Sequence, residues 1–172
     1  MTQKGKTMTN NEKLKEIFQQ QSFREEETEP LEKTLQVIGF VVGDEEFAVP
    51  ILNVREIVKP MEYTRIPRTP AYVLGVFNLR GNILPLIDLR QKFGLGQKSF
   101  DDDTRFLVMN YQDQVIGFVI DKLTEAFHLK EEEIDYVIAQ ENRDDYLIYG
   151  VGKQKDKLIT ILKTESLIKR DF

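Results

Sequence analysis

The sequence has no cysteine, no tryptophan and one histidine in 172 residues. Without thiols there is no disulfide framework, thiolate metal site or cysteine nucleophile, and such a chain suits a reducing compartment. A nucleophilic triad needs a base within hydrogen-bond reach and an acid to orient it. Here the only base is His128, and the only serines are Ser22 in an N-terminal tail, Ser99 in a loop and Ser166 near the end. His128 reads as an ordinary surface residue. Long apolar runs are also missing: "VIGFVV" is typical, whereas a spanning helix needs about 20 residues. Lys4 and Lys6 are followed by Asn10, Asn11 and Glu12 instead of an apolar segment, so no signal peptide is expected. An excess of positive charge is absent as well. The net charge of −5 argues against nucleic acid as the main ligand, because that partner favours a basic face.

Motifs for small-molecule chemistry fail one by one. Gly75 and Gly81 are spaced rather like a phosphate loop, but Asn82-Ile83 follows where Lys-Ser or Lys-Thr is required. Gly94-Leu-Gly96 and Gly150-Val-Gly152 lack the third glycine and the βαβ setting of a dinucleotide site. Asp101-Asp102-Asp103 lacks the alternating ligands, glycine and closing glutamate of a calcium loop, and reads as a solvated turn. Glu131-Glu132-Glu133 reads as a polar turn or a helix start. Carboxylates are plentiful, but abundance does not set two of them at a hydrolytic separation. These residues leave an enzyme unsupported without excluding one; the expectation is a cytoplasmic protein with no cofactor, no metal and no direct membrane insertion.

Two regions are present. Residues 1–33 are rich in Gln, Glu, Lys and Thr, a composition that favours a flexible tail. Leu14, Ile17 and Phe18 follow helical spacing after Asn10 or Asn11, but one apolar turn rarely holds a helix in water. From residue 34 the pattern is β and long enough to bury a core.

That β region repeats. "LQVIGFVVGDEEFAVPILNVREIV" lies without a gap over "TRFLVMNYQDQVIGFVIDKLTEAF": Phe40 meets Met109, Asp44 meets Asp113, Phe47 meets Ile116, Val54 meets Leu123 and Glu56 meets Glu125. "GVFNLRGNILPLIDLRQKF" lies over "GVGKQKDKLITILKTESLI", with Gly75 on Gly150 and Ile83 on Leu158. Each half is therefore a hairpin, a connection and a second hairpin, and the halves meet near 94–104. Halves this small are expected to bury a face against each other. Asp88 is placed to cap a short helix ending near Gly94, and Thr164 to cap the closing "ESLIKRDF". Thr69-Pro70 predicts a further short helix before Gly75.

The stretch Asn78-Leu-Arg80-Gly81, between two apolar runs, is too particular to be a simple turn. "GVFNLRGNILPLIDLRQKFGL" resembles the signature of the CheW-like domains of bacterial chemotaxis. "VVGDEEFAVPILNVREIVKP", "TRIPRTPAYVLG", "GFVIDKLTEAF" and "YGVGKQKDKLITILKTESLI" are similar to that family's remaining segments, so the resemblance covers about residues 35–172. It implies a mainly β fold: two SH3-like five-stranded β-barrel subdomains packed together across a hydrophobic seam, with short helices, one at the C-terminus. It implies an adaptor bridging the cytoplasmic tips of methyl-accepting chemotaxis receptors and the regulatory domain of the histidine kinase CheA, recruited to membrane receptor arrays. By the same resemblance Arg80 and Glu56 are receptor-coupling positions, with Val54 and Val58 on an adjoining groove wall. Arginine suits this task because its planar fork holds several acceptors. Val54 and Val58 can equally be core, since half of a strand faces inward. Asn78 is expected to shape the turn, and Gly75 and Gly81 to meet backbone requirements. Phe127 and His128 depart from the family's more aliphatic pattern and bear on a kinase-facing edge. The rival reading, a small barrel in which Arg80 clamps an anion, requires a concave pocket of about 300 Å³ or more.

Overall fold

Alternation of apolar residues on both faces of two hairpins organises this molecule. A computed structural model describes residues 32–136 and 147–169, so the expected helix around Leu14, Ile17 and Phe18 lies outside the described residues. The first hairpin is β1 (Thr34–Val42) and β2 (Glu45–Pro50). After a 3-10 turn at Ile51–Asn53 come β3 (Val54–Val58), β4 (Tyr63–Thr64), β5 (Val73–Leu79) and β6 (Asn82–Asp88). Helix α1 (Leu89–Lys92) closes the first repeat. The second repeat runs through β7 (Arg105–Tyr111), β8 (Gln114–Ile120), β9 (Lys122–Lys130), β10 (Asp135–Tyr136), β11 (Ile148–Gln154), β12 (Lys157–Leu162) and helix α2 (Thr164–Ile168).

The fold is mainly β, in two sheets ordered β10-β11-β12-β2-β1-β9 and β3-β7-β8-β6-β5-β4. Each has six strands because the two-residue β4 and β10 join the five of each subdomain. Residues 94–104 link the repeats along the chain, yet the sheets are not built one per repeat. The hairpin β1–β2 completes the sheet of the second repeat, and β7–β8 completes that of the first. The exchange is reciprocal down to register. Phe40↔Phe47 in the first hairpin matches Met109↔Ile116 in the second. Gly75↔Leu86 matches Gly150↔Ile161, each beside the same irregularity. The parallel pairings Leu86↔Gly117 and Ile161↔Ala48 correspond too.

Exchange explains the apolar runs. Along β7, Phe106 and Val108 enter a cluster with Phe77, Leu84 and Leu86 inside their own sheet. The intervening Leu107 and Met109 enter a central cluster with Phe40, Phe47, Val49 and Phe118, drawn from both sheets. A third cluster, with Val37, Phe127, Leu129 and Ile161, fills the other sheet. The exchanged hairpins bury both faces, so their strands read as continuous apolar runs.

Three local expectations meet different outcomes. Asp88 caps α1, its carboxylate accepting from Arg90 N–H at 3.0 Å. Thr164 does not cap α2: Lys163 holds the cap position with no side-chain bond, and Thr164 is buried as the first helical residue. Its hydroxyl instead meets Asn53 Oδ1 at 3.3 Å. Thr69-Pro70 starts no helix; the chain makes one turn, closed by Val73 N–H on Pro70 O at 2.9 Å. Only two residues separate Pro70 from β5, too few for a helical nucleus.

Candidate protein-interaction site

The hairpin β5–β6 turns through two residues, Arg80 and Gly81, both at positive φ (52° and 88°). Paired positive φ gives the turn whose twist matches the flanking strands. A Cβ on Gly81 would meet nothing within 4 Å, so its glycine answers to backbone conformation alone. Asn78 fastens the corner, its Oδ1 accepting from Gly81 N–H at 2.8 Å. The turn thrusts Arg80 outward with 77% of its side chain exposed.

From there Arg80 Nη2 reaches Glu56 Oε2 at 3.1 Å, tying the β3 edge to the β5–β6 corner. The structure thus brings together Arg80 and Glu56, the two expected polar positions. Glu56 is 23% exposed, so most of the guanidinium, but little of the carboxylate, faces solvent. Val54 and Val58 separate. A register shift between Val54 and Glu56 turns Val54 toward the central cluster and leaves Val58 against the cluster inside its own sheet. Both are partly buried core residues on an edge strand. Gly75 sits in a close backbone approach, where an added Cβ would fall 2.0 Å from Thr64 O. Of Phe127 and His128 on β9, the phenylalanine is buried and the histidine is exposed.

Beside this corner lies a shallow groove of about 1050 Å³, lined by Met61, Tyr63, Phe77, Asn78, Ile83 and Phe100 among others. Ile83 is 62% exposed, and Tyr63 and Phe100 lie with ring centroids 6.3 Å apart. The groove exceeds the volume expected of a ligand site, but Arg80 is not among its lining residues, so this groove offers no anion clamp. Exposed apolar side chains beside a corner cation are instead the ingredients of a protein-binding surface. The described residues contain no group of three or more His, Cys, Asp or Glu able to hold a metal ion. No described helix is long and apolar enough to cross a membrane.

The corner has a counterpart that no sequence motif marks. In the second repeat Lys155 Nζ and Gln154 Nε2 both reach Glu125 Oε1 at 3.2 Å. Lys155 and Asp156 turn at φ 45° and 66°, as Arg80 and Gly81 do, and Leu158, 74% exposed, stands where Ile83 does. Taken together, the two overlays place Glu56 on Glu125 and Arg80 on Lys155. The pair was legible, but "KQKD" carries no motif to point at it.

Comparison with known proteins agrees with this architecture. The family model for the CheW-like domain matches residues 36–172. The chain is 53% identical over 161 residues to chemotaxis protein CheW of Helicobacter pylori, spanning 92% of this chain and 98% of that one. It is 30% identical over 137 residues to chemotaxis protein CheW of Bacillus subtilis, spanning 79% and 88%. A crystal structure of the scaffolding protein TtCheW from Thermoanaerobacter tengcongensis superposes with a TM-score of 0.73 at 30% identity, covering 81% of this chain and 95% of that one. In sequence and in fold, the chain belongs to the CheW-like domain family.

Proposed function

We propose that this protein is a non-enzymatic adaptor of bacterial chemotaxis, coupling the cytoplasmic tips of methyl-accepting receptors to the regulatory domain of the histidine kinase CheA. It works in the cytoplasm, at membrane receptor arrays. The observation that carries this reading is the Arg80–Glu56 corner: a largely exposed guanidinium, held by a glutamate on an edge strand, beside an open apolar groove. Family membership and the names of its relatives, chemotaxis and scaffolding proteins, support the same reading. Arg80 is the receptor-contacting residue, Glu56 orients it, and Val54 and Val58 fix the strand that carries Glu56. Asn78, Gly75 and Gly81 act on the backbone that presents Arg80.

The test is capture of a receptor cytoplasmic fragment and of the CheA regulatory region by purified protein, wild type against Arg80→Ala. An exposed ion pair contributes about 0–1 kcal/mol to stability, so the variant should stay folded. Loss of an anchoring arginine should weaken receptor capture by about 1–3 kcal/mol, roughly 5- to 150-fold. The swapped pair Glu56→Arg with Arg80→Glu separates contact from clasp. It retains the intramolecular bridge, so receptor capture should stay weak if Arg80 touches the receptor. Recovery of capture would make the pair a structural clasp. Failure of wild type to capture either partner would leave the fold and remove the function.

A further inference from the structure

The chain passes between the two sheets twice. It goes from β2 to β3 through the 3-10 turn Ile51–Asn53, and from β8 to β9 through Asp121. The overlay of the repeats sets Leu52 on Asp121, so the two passages are equivalent places in the fold.

They are held very differently. Asp121 is 9% exposed. Its N–H donates to Val41 O at 3.0 Å, and its Oδ2 accepts from Gly43 N–H at 2.8 Å and from Arg90 Nη1 at 2.7 Å. Val41 and Gly43 belong to the β1–β2 hairpin of one sheet, whereas Arg90 stands in α1, directly after β6 of the other. One residue therefore pins both sheets. At the other passage Leu52 is 95% exposed and the 3-10 turn contains no buried residue. Its side-chain hydrogen bonds among the described residues are those of Asn53, donating to Asn110 O at 3.4 Å and accepting from Thr164 Oγ1 at 3.3 Å, both long for hydrogen bonds.

The strands that follow show the same contrast. β9 has nine residues and buries Phe127 and Leu129; β3 has five and buries none. Segments with few buried apolar contacts and weak hydrogen bonds open first.

We infer that the β8–β9 passage is a fixed pivot, with Asp121 as its positioning residue, and that the β2–β3 passage is the one that yields. A partner seated on the Arg80–Glu56 corner then works the seam by displacing β3. The identity of that partner rests on the proposed function; the unequal stiffness does not. A partner that prefers one seam arrangement shifts its population by the difference in affinity.

Amide hydrogen exchange on the full chain tests the pivot. The amides of Val54–Val58 should exchange at least about tenfold faster than those of Phe127–Lys130, with Gly43 and Asp121 among the slowest. Equal protection of the two segments, or faster exchange in β9, would overturn the inference. Asp121→Asn should raise exchange at Gly43 selectively; an unchanged Gly43 would remove Asp121 from its role. Transmission is tested separately. Because the chain has no cysteine, Asn53→Cys with Thr164→Cys introduces one disulfide across the yielding passage. Oxidised, this variant should capture the receptor as the reduced form does, but lose receptor control of kinase activity in a reconstituted assembly. Equal control in both forms would sink the device while leaving the adaptor intact. If neither form nor wild type captures receptor, it is the adaptor reading that falls, and exchange alone decides the pivot.

Discussion

Gly75→Ala should destabilise the protein by about 3–5 kcal/mol. Two costs combine. Gly75 has φ +150°, a conformation that side-chain-bearing residues rarely adopt. An added Cβ would also lie 2.0 Å from Thr64 O, 2.6 Å from Thr64 C and 2.9 Å from Arg65 Cα. These are backbone atoms, so no rotamer change relieves the overlap, and β4 must leave its place on β5. Tyr63, which lines the apolar groove, moves with it. The equivalent Gly150→Ala should cost less, about 1–3 kcal/mol. Its nearest meetings, Asp135 O and Ile134 Cγ2, are at 2.9 Å, and its φ lies outside the range that excludes L residues. Urea titration of both variants checks the ranking; equal losses would show that close approach does not set it.

Asp121→Ala should cost about 2–4 kcal/mol. Truncation removes the acceptor shared by Gly43 N–H and Arg90 Nη1. Arg90 is only 20% exposed, and its Nε is already buried without a partner. The variant therefore strands a mostly buried cation, which is costlier than loss of a surface pair. Asp121→Asn keeps an acceptor but not the charge, and should lose about half as much. Salt separates this pair from the coupling corner. Screening acts on exposed charges more than on buried ones, so the cost at Asp121 should survive high ionic strength. Any contribution from Arg80–Glu56 should fade. Denaturation midpoints with an unchanged urea slope provide the measurement. A loss below about 1 kcal/mol would mean that water replaces the carboxylate and that the passage is not pinned.

Much of the site could be read before the structure. Arg80, Gly81 and Asn78 announced a turn, and the turn is there, fastened by Asn78 as its short acceptor side chain allows. Glu56 met Arg80. Val54 and Val58 could not be assigned, because a bulge between Val54 and Glu56 changes which face each takes. One extra residue in a strand leaves no trace in a period-two pattern. Thr164 looked like a cap and became a buried helical residue, since its contact, Asn53, is distant in sequence. The Asp121 node was invisible for the same reason: its partners come from two distant segments, the β1–β2 hairpin and α1, brought to it only by the exchange.

The sequence by itself determined the β character and the two repeats, because apolar alternation and tight turns are local and survive a gapless overlay. It also determined the corner that carries Arg80. Only the tertiary structure decided which hairpin belongs to which sheet. β1–β2 and β7–β8 are apolar on both faces and equivalent in register, so either satisfies the local pattern of either sheet. The choice is made by what each buries against the rest of the chain, through pairing between strands far apart in sequence. That exchange creates the shared seam, places two passages across it, and makes one of them stiff and the other not.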